Sequence, residues 1–233
     1  GRGGAFYRKR AAKEVNRKYR LGGQNPAFLA QACKEKIMGF FGKSTFDYLI
    51  AGLGNPGPKY DGTRHNAGFR ALDAVAKEFG IEVAKRKFQG LMGQGEIAGK
   101  RCLLLKPQTF MNLSGESVEA ACQYYKIPYD KVIVLFDDIS LEPGQLRIRR
   151  KGTHGGHNGV RNIIECTGSE DFPRVKLGVG KKPHPDYDLA DWVLGKFTPE
   201  QNKAMEDAIG HCPEIIQLMV QGKIDQAMNR FNR

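Results

Sequence analysis

No uninterrupted apolar stretch in this chain approaches the roughly 18 to 20 residues that a bilayer-spanning helix needs, and no apolar run follows its basic start. Membrane insertion and secretion are therefore both poor expectations. The five cysteines (Cys33, Cys102, Cys122, Cys166, Cys212) are odd in number and lie at least 20 residues apart, so no C-x-x-C pair can build a zinc knuckle or a redox centre. A reducing cytosol, with the thiols serving as small core residues, is the simplest reading. A G-x-S-x-G elbow is also missing around Ser114 and Ser117, and covalent serine catalysis loses its usual local setting. Acidic residues are scarce, with 25 Asp and Glu against 37 Lys and Arg, a net charge of +12 that implies an anionic partner or an attached basic tail.

What is present is otherwise ordinary. The 233 residues, 40% hydrophobic and 27% charged, can bury a real core as one domain or one domain with an appendage. The charge is unevenly placed, because residues 1–45 carry eleven Lys/Arg and two Glu, a net of +9 out of the +12. That head lacks a sustained apolar face and is expected to be mobile or weakly helical. Asn25-Pro26 offers an N-cap and first-turn pair for a short helix before Phe40 and Phe41. The head reads as an extension unrelated to the chemistry rather than as an arm gripping nucleic acid.

From residue 46 onward apolar strands alternate with amphipathic helices. Strand candidates are 47–53, 101–107, 131–138, 144–150 and 174–180, and helix candidates are 67–79, 114–125, 156–167 and a long stretch from Thr198 to about Gln221. Crossover helices between strands predict a single α/β domain over 46–233, a mixed, largely parallel twisted sheet with helices on both faces.

Ligands of such sheets sit beyond the carboxyl ends of the strands. Loops in those positions gather Asn55, His65, Asn66, Asn112, Asp137, Asp138, His154, His157 and Asn158. One histidine, a carboxylate able to fix its tautomer and several carboxamides able to donate to an oxyanion are what water-mediated acyl hydrolysis requires. Two other readings weigh less. Gly52-x-Gly54-x-x-Gly57, with Glu82 downstream, matches a dinucleotide fingerprint formally, but Pro56, Pro58 and Gly62 keep the chain out of the helix that fingerprint needs. His154 and His157 with Asp137 and Asp138 could suit zinc or manganese, yet they sit on a glycine turn without a third histidine at ligand spacing. Taken singly, Asn66 and Asn158 are natural helix N-caps; it is the concentration after successive strands that points to a site.

The strings GLGNPGPKYDGTRHNAG (52–68), KPQTFMNLSG (106–115), DDISLEPG (137–144), KGTHGGHNG (151–159) and FPRVKLGVG (172–180) resemble, in sequence and order, the bacterial-type peptidyl-tRNA hydrolase family. The resemblance covers about residue 46 to the end. It implies hydrolysis of the ester joining a peptide to the 3′ end of tRNA, by a cytoplasmic monomer without metal or organic cofactor. It makes His65 the general base, Asp137 its orienting partner, and Asn55 and Asn112 contacts to substrate, water or oxyanion. Asn158 acts likewise from the glycine turn, and Tyr60, Phe110, Met111 and His157 fall near the channel. Cations flank the crevice: period two puts Arg147 with Arg149 on one strand face and Arg174 with Lys176 on another, and the resemblance places the tRNA acceptor end near Arg147, Arg149 and Lys176. Lys181, Lys182 and HPDYDLADW (184–192) resemble the family's mobile segment over the cleft. Many relatives carry a further Asp where this chain has Ser140, which leaves Asp137 in place. A non-catalytic RNA-binding relative of the same fold is the alternative, against which the presence of His65, Asp137, Asn55 and Asn112 argues.

Overall fold

The computed structural model describes residues 45–232. The basic head, with its candidate helix after Asn25 and its Phe40 and Phe41, lies outside the described residues.

One seven-stranded sheet organises the domain, in the order β2-β3-β4-β1-β5-β7-β6. Its four central strands, β4 (Lys100–Pro107), β1 (Tyr48–Gly52), β5 (Val132–Asp138) and β7 (Arg174–Gly178), run parallel. The flanks are antiparallel: β2 (Lys85–Lys87) and β3 (Gly90–Ile97) on one side, β6 (Leu146–Arg149) on the other. Strands β1 and β5 are almost uniformly apolar because both of their faces are covered. Alternation decides which layer each residue meets. Leu49, Val132, Val134 and Phe136 face helices α2 (Ser114–Tyr125) and α3 (Asn158–Thr167). Ile50, Ile133 and Leu135 face α1 (Ala67–Glu78) and the C-terminal helices.

The expected strands and the first three helices are present, with shifted ends: the helix expected from 156 begins at Asn158. Two differences have clear causes. The β2–β3 hairpin escapes the sequence pattern because Gly93 and Gly95 sit where apolar residues would mark a strand. A Cβ on Gly93 would lie 2.4 Å from the Glu82 carbonyl oxygen, and one on Gly95 would lie 2.5 Å from Ile81, so glycine is what lets the chain pass. The single helix expected from Thr198 is broken. Thr198 does cap α5 (Pro199–Gly210) through a full capping box, but His211 ends it, and Pro213, lacking an amide donor, opens α6 (Cys212–Val220). Helix α7 (Ile224–Phe231) completes that layer, and the short helix α4 (Leu189–Leu194) lies apart from it. Just past α7, Asn232 closes the open edge of the sheet: its Oδ1 accepts the Ile148 N–H at 2.6 Å and its Nδ2 donates to the Ile148 carbonyl at 3.2 Å.

No helix of the described residues is long and apolar enough to cross a membrane. Cys102, Cys122 and Cys212 are free and buried, and burial pushes each thiol up to about 12, as expected of inert core residues.

Candidate active site

A cleft of about 440 Å³ opens beyond the carboxyl ends of β1, β4 and β5. Asn55, His65, Phe110, Met111, Asn112, Asp137, Asn158 and Lys176 all line it, so residues spread over more than 120 positions of the chain converge there. The base of the cleft is set by a close approach. The peptide N–H of Leu53 donates to the Leu135 carbonyl and that of Phe69 to the Leu53 carbonyl, drawing the start of α1 onto β1 and β5. A Cβ on Gly68 would lie 2.3 Å from the Leu135 carbonyl oxygen, so only glycine permits this contact, and the 3-10 turn Arg64–Asn66 is delivered to the cleft beside it.

The His65 side chain is 12% exposed and its Nδ1 lies 2.9 Å and 3.0 Å from the two oxygens of Asp137, whose side chain is only 2% exposed. An ionised carboxylate only accepts, so Nδ1 carries the proton and the lone pair of neutral His65 is on Nε2. Burial opposes the imidazolium, but the charge of Asp137 and its hydrogen bond outweigh it and raise the His65 pKa above the ordinary histidine value. Burial likewise opposes the ionised Asp137, and the charges and hydrogen bonds of His65 and His157 overcome that, holding it well below the usual carboxylate range.

His157 is the second imidazole on that carboxylate, with Nε2 3.0 Å from Asp137 Oδ1. Its tautomer is also fixed, since its Nδ1 accepts the Val160 N–H at 3.2 Å as the N-cap of α3. The expected capping roles therefore move. His157 rather than Asn158 caps α3, and the Asn66 side chain braces the neighbouring loop instead of capping α1, accepting from the Asn55 N–H at 2.8 Å and donating to the Asn55 carbonyl at 3.1 Å. Asn55 Oδ1 accepts the Met111 N–H at 2.8 Å. Because a peptide N–H can only pair with the oxygen end of the carboxamide, Nδ2 must point into the cleft. Asn112 and Asn158 stand exposed at its rim.

The adjacent Asp138 is employed elsewhere. Lys176 Nζ lies 2.7 Å from its Oδ2, and the Ser140 N–H donates to its Oδ1 at 2.7 Å. Burial opposes its charge, but those hydrogen bonds lower its pKa. Of the groupings considered for a metal, His154 is not in the tight set; its Nδ1 accepts the Gly156 N–H. Ligand atoms of His65, Asp137 and His157 do lie within 4.8 Å of one another, but both ring nitrogens sit at hydrogen-bond distance from the carboxylate and their protons are accounted for by it. The Gly52–Gly57 loop leads into 3-10 turns, and α1 begins only at Ala67, so the helix of a dinucleotide fingerprint is absent from that position.

Four of the expected substrate contacts fall outside the cleft lining in different ways. Tyr60 ends the 3-10 turn Pro58–Tyr60, and its carbonyl accepts both the N–H and the hydroxyl of Thr63; it braces the loop. Arg147 and Arg149 lie on the edge strand β6 beside the cleft, Arg149 exposed. Arg174 is a correction. It is 1% exposed, with Nη1 donating to the Thr153 carbonyl at 2.9 Å and Nη2 to the Glu170 carbonyl at 3.0 Å, so its guanidinium holds the glycine-turn loop and offers nothing to a phosphate. The antiparallel register also pairs Arg147 with Lys176 and Arg149 with Arg174, placing all four on one face rather than two.

Sequence reasoning did not identify one apolar wall of the cleft. Helix α4 presents Leu189, Ala190, Val193 and Leu194 to the cleft, and Phe136 and Ile139 add to the apolar surface. The run HPDYDLADW pointed to that stretch only as a segment over the cleft.

Fold and cleft together define an α/β enzyme of the hydrolase class. Residues 49–233 match the family model described as peptidyl-tRNA hydrolase. Curated peptidyl-tRNA hydrolases of Caldanaerobacter subterraneus and Agathobacter rectalis are 52% and 53% identical over 185 and 186 residues, 79% of this chain and 99% and 100% of theirs. The crystal structure of peptidyl-tRNA hydrolase from Acinetobacter baumannii superposes with a TM-score of 0.77 at 38% identity, covering 82% of this chain and 97% of that one. The chain belongs to the peptidyl-tRNA hydrolase family.

Proposed function

We propose that this enzyme cleaves the ester between a peptide and the 3′ end of tRNA by water activated at His65. The observation that carries the reading is the double hold of Asp137 on His65 Nδ1, which leaves Nε2 as the free base in a cleft that Asn55 also lines with a fixed carboxamide. Water attacks the ester carbonyl carbon as His65 Nε2 takes its proton. The tetrahedral oxyanion accepts from Asn55 Nδ2, with Asn112 at the rim as a further donor. Collapse breaks the bond to the ribose oxygen, and the imidazolium, stabilised by Asp137, returns the proton to the departing 3′ hydroxyl. A positioned base contributes about 10² to 10⁴ in rate and an oriented oxyanion donor about 2.7 to 4 kcal/mol, which is enough for an activated ester.

The acceptor end of the tRNA is assigned to Arg147, Arg149 and Lys176, which share one face beside the cleft. Lys176 lines the cleft itself, where it would trade its bond to Asp138 for a phosphate. A cytosolic enzyme is part of the same proposal, supported by the buried free thiols, and a monomeric state belongs to it as well. The test is release of tRNA from an N-blocked aminoacyl-tRNA compared with free aminoacyl-tRNA. The reading expects rapid release from the blocked substrate; binding of tRNA without release from either would replace it with an RNA-binding role.

A further inference from the structure

The residue directly before the catalytic histidine is a buried cation that the mechanism does not use. Arg64 is 4% exposed, and none of the ion pairs among the described residues includes it. Its Nε is buried without a hydrogen-bond partner. An unpaired buried charge is costly, and an apolar side chain of similar length would fill the same space more cheaply. What the guanidinium does have is a set of contacts that only arginine's flat fork can make at once. Its face lies over the Trp192 ring, 3.7 Å from the centroid. Nη1 donates to the Lys196 carbonyl at 2.9 Å and Nη2 to Gln201 Oε1 at 3.0 Å. Its own peptide N–H donates to the Gly195 carbonyl at 3.0 Å, and Thr63 bridges to Lys196.

These partners lie in α4, in the link that follows it and, for Gln201, in the first turn of α5. Helix α4 is only six residues long, and such a short helix has little stability of its own. At the other side, the Trp192 indole N–H donates to the Gly180 carbonyl at 2.8 Å. The helix is thus held between the loop after β7 and the turn that carries His65, and its opposite face supplies Leu189, Ala190, Val193 and Leu194 to the cleft.

We propose that Arg64 is a positioning residue that fastens the apolar α4 wall to the turn carrying His65, so that an acyl chain entering the cleft meets a preformed surface. This deepens the proposed function and rests on it. The wall receives the acyl part of the substrate without touching the reacting atoms. Loosening it weakens substrate capture and leaves the chemical step, set by His65, Asp137 and Asn55, in place.

The chain contains a single tryptophan, so Trp192 reports on this clamp without any substrate. Arg64→Lys keeps the charge and removes the fork and the stacked plane. Its expected signature is a red-shifted Trp192 emission more accessible to acrylamide, together with a KM for N-blocked peptidyl-tRNA raised about tenfold, the scale of one lost charge-assisted hydrogen bond. The kcat is expected to stay within about twofold and the pH limb of His65 to stay put, as losing binding shared by ground and transition states requires. Should Arg64→Lys fail to fold, Gln201→Met, which removes one acceptor from the fork and leaves Arg64 and Trp192 intact, is expected to shift emission and KM in the same directions by less. Unchanged emission and quenching in a folded variant, or a fall in kcat at constant KM, would overturn the proposal. If the wild-type chain releases no tRNA, the hydrolytic reading fails, and the emission alone still decides whether Arg64 seats α4.

Discussion

The peptide N–H of Met111 donates to Asn55 Oδ1 across 2.8 Å, and this one bond decides which end of the Asn55 carboxamide faces the cleft. It ties the loop after β1 to the loop after β4, so the proposed oxyanion donor is aimed before any substrate arrives. Preorganisation of this kind is where most electrostatic catalysis comes from. Asn55→Asp keeps an oxygen for Met111 but turns a second acceptor toward the developing oxyanion. We expect kcat in single-turnover release to fall by about 10²-fold or more with the melting temperature little changed. A variant with normal kcat would remove Asn55 from the oxyanion role.

The pH profile follows from the shared carboxylate. In the proposed mechanism His65 acts only when neutral, and its pKa is raised, so kcat/KM is expected to climb with pH through an inflection above the ordinary histidine value of 6.5. Asp137→Asn removes the charge that raises it, so the inflection is expected to move to lower pH while the plateau drops. Stability takes both signs. Asp137, depressed in the fold, contributes stability present above about pH 3.8 and lost as pH falls through its lowered value. His65, elevated in the fold, contributes stability that is complete below about 6.5 and lost as pH rises through its raised value. Denaturant midpoints across pH for wild type and Asp137→Asn check both.

The basic strands separate binding from stability. Arg149→Ala, at an exposed edge position, is expected to weaken tRNA binding and reduce the salt slope by about one while leaving the melting temperature unchanged. Arg174→Ala is expected to do the reverse. It strands the Thr153 and Glu170 carbonyls and empties a buried site, costing about 2 to 4 kcal/mol of unfolding free energy with the salt slope intact. Binding titrations at several salt concentrations and chemical denaturation distinguish the two.

At Gly68 the fold and the site share one close contact. Gly68→Ala forces α1 away from β5 and is expected to cost about 1 to 3 kcal/mol and to reduce kcat through misplacement of His65. Equal activity and stability would mean that the turn carrying His65 is not set by this approach.

Much of this was legible in the sequence, for identifiable reasons. Strands β1 and β5 are continuous apolar runs because both faces are covered, and the polar residues that follow them had to lie at the carboxyl end of a sheet. Glycine hid β3, because a strand that must let Ile81 and Glu82 approach its backbone cannot show alternating side chains. Helix α4 was too short to display a period. Period two paired Arg174 with Lys176 but could not say that the loops flanking α3, at Thr153 and Glu170, would cover it. The brace from Asn66 to Asn55 and the second imidazole on Asp137 depend on tertiary placement that no spacing encodes.

The central claim is that His65 Nε2 takes the proton of the attacking water. Its most direct test is single-turnover release of tRNA from N-blocked aminoacyl-tRNA by His65→Ala, with tRNA affinity measured on the same preparation. The account predicts release slower by about 10² to 10⁴ with affinity within about twofold of wild type. Release at the wild-type rate would contradict it.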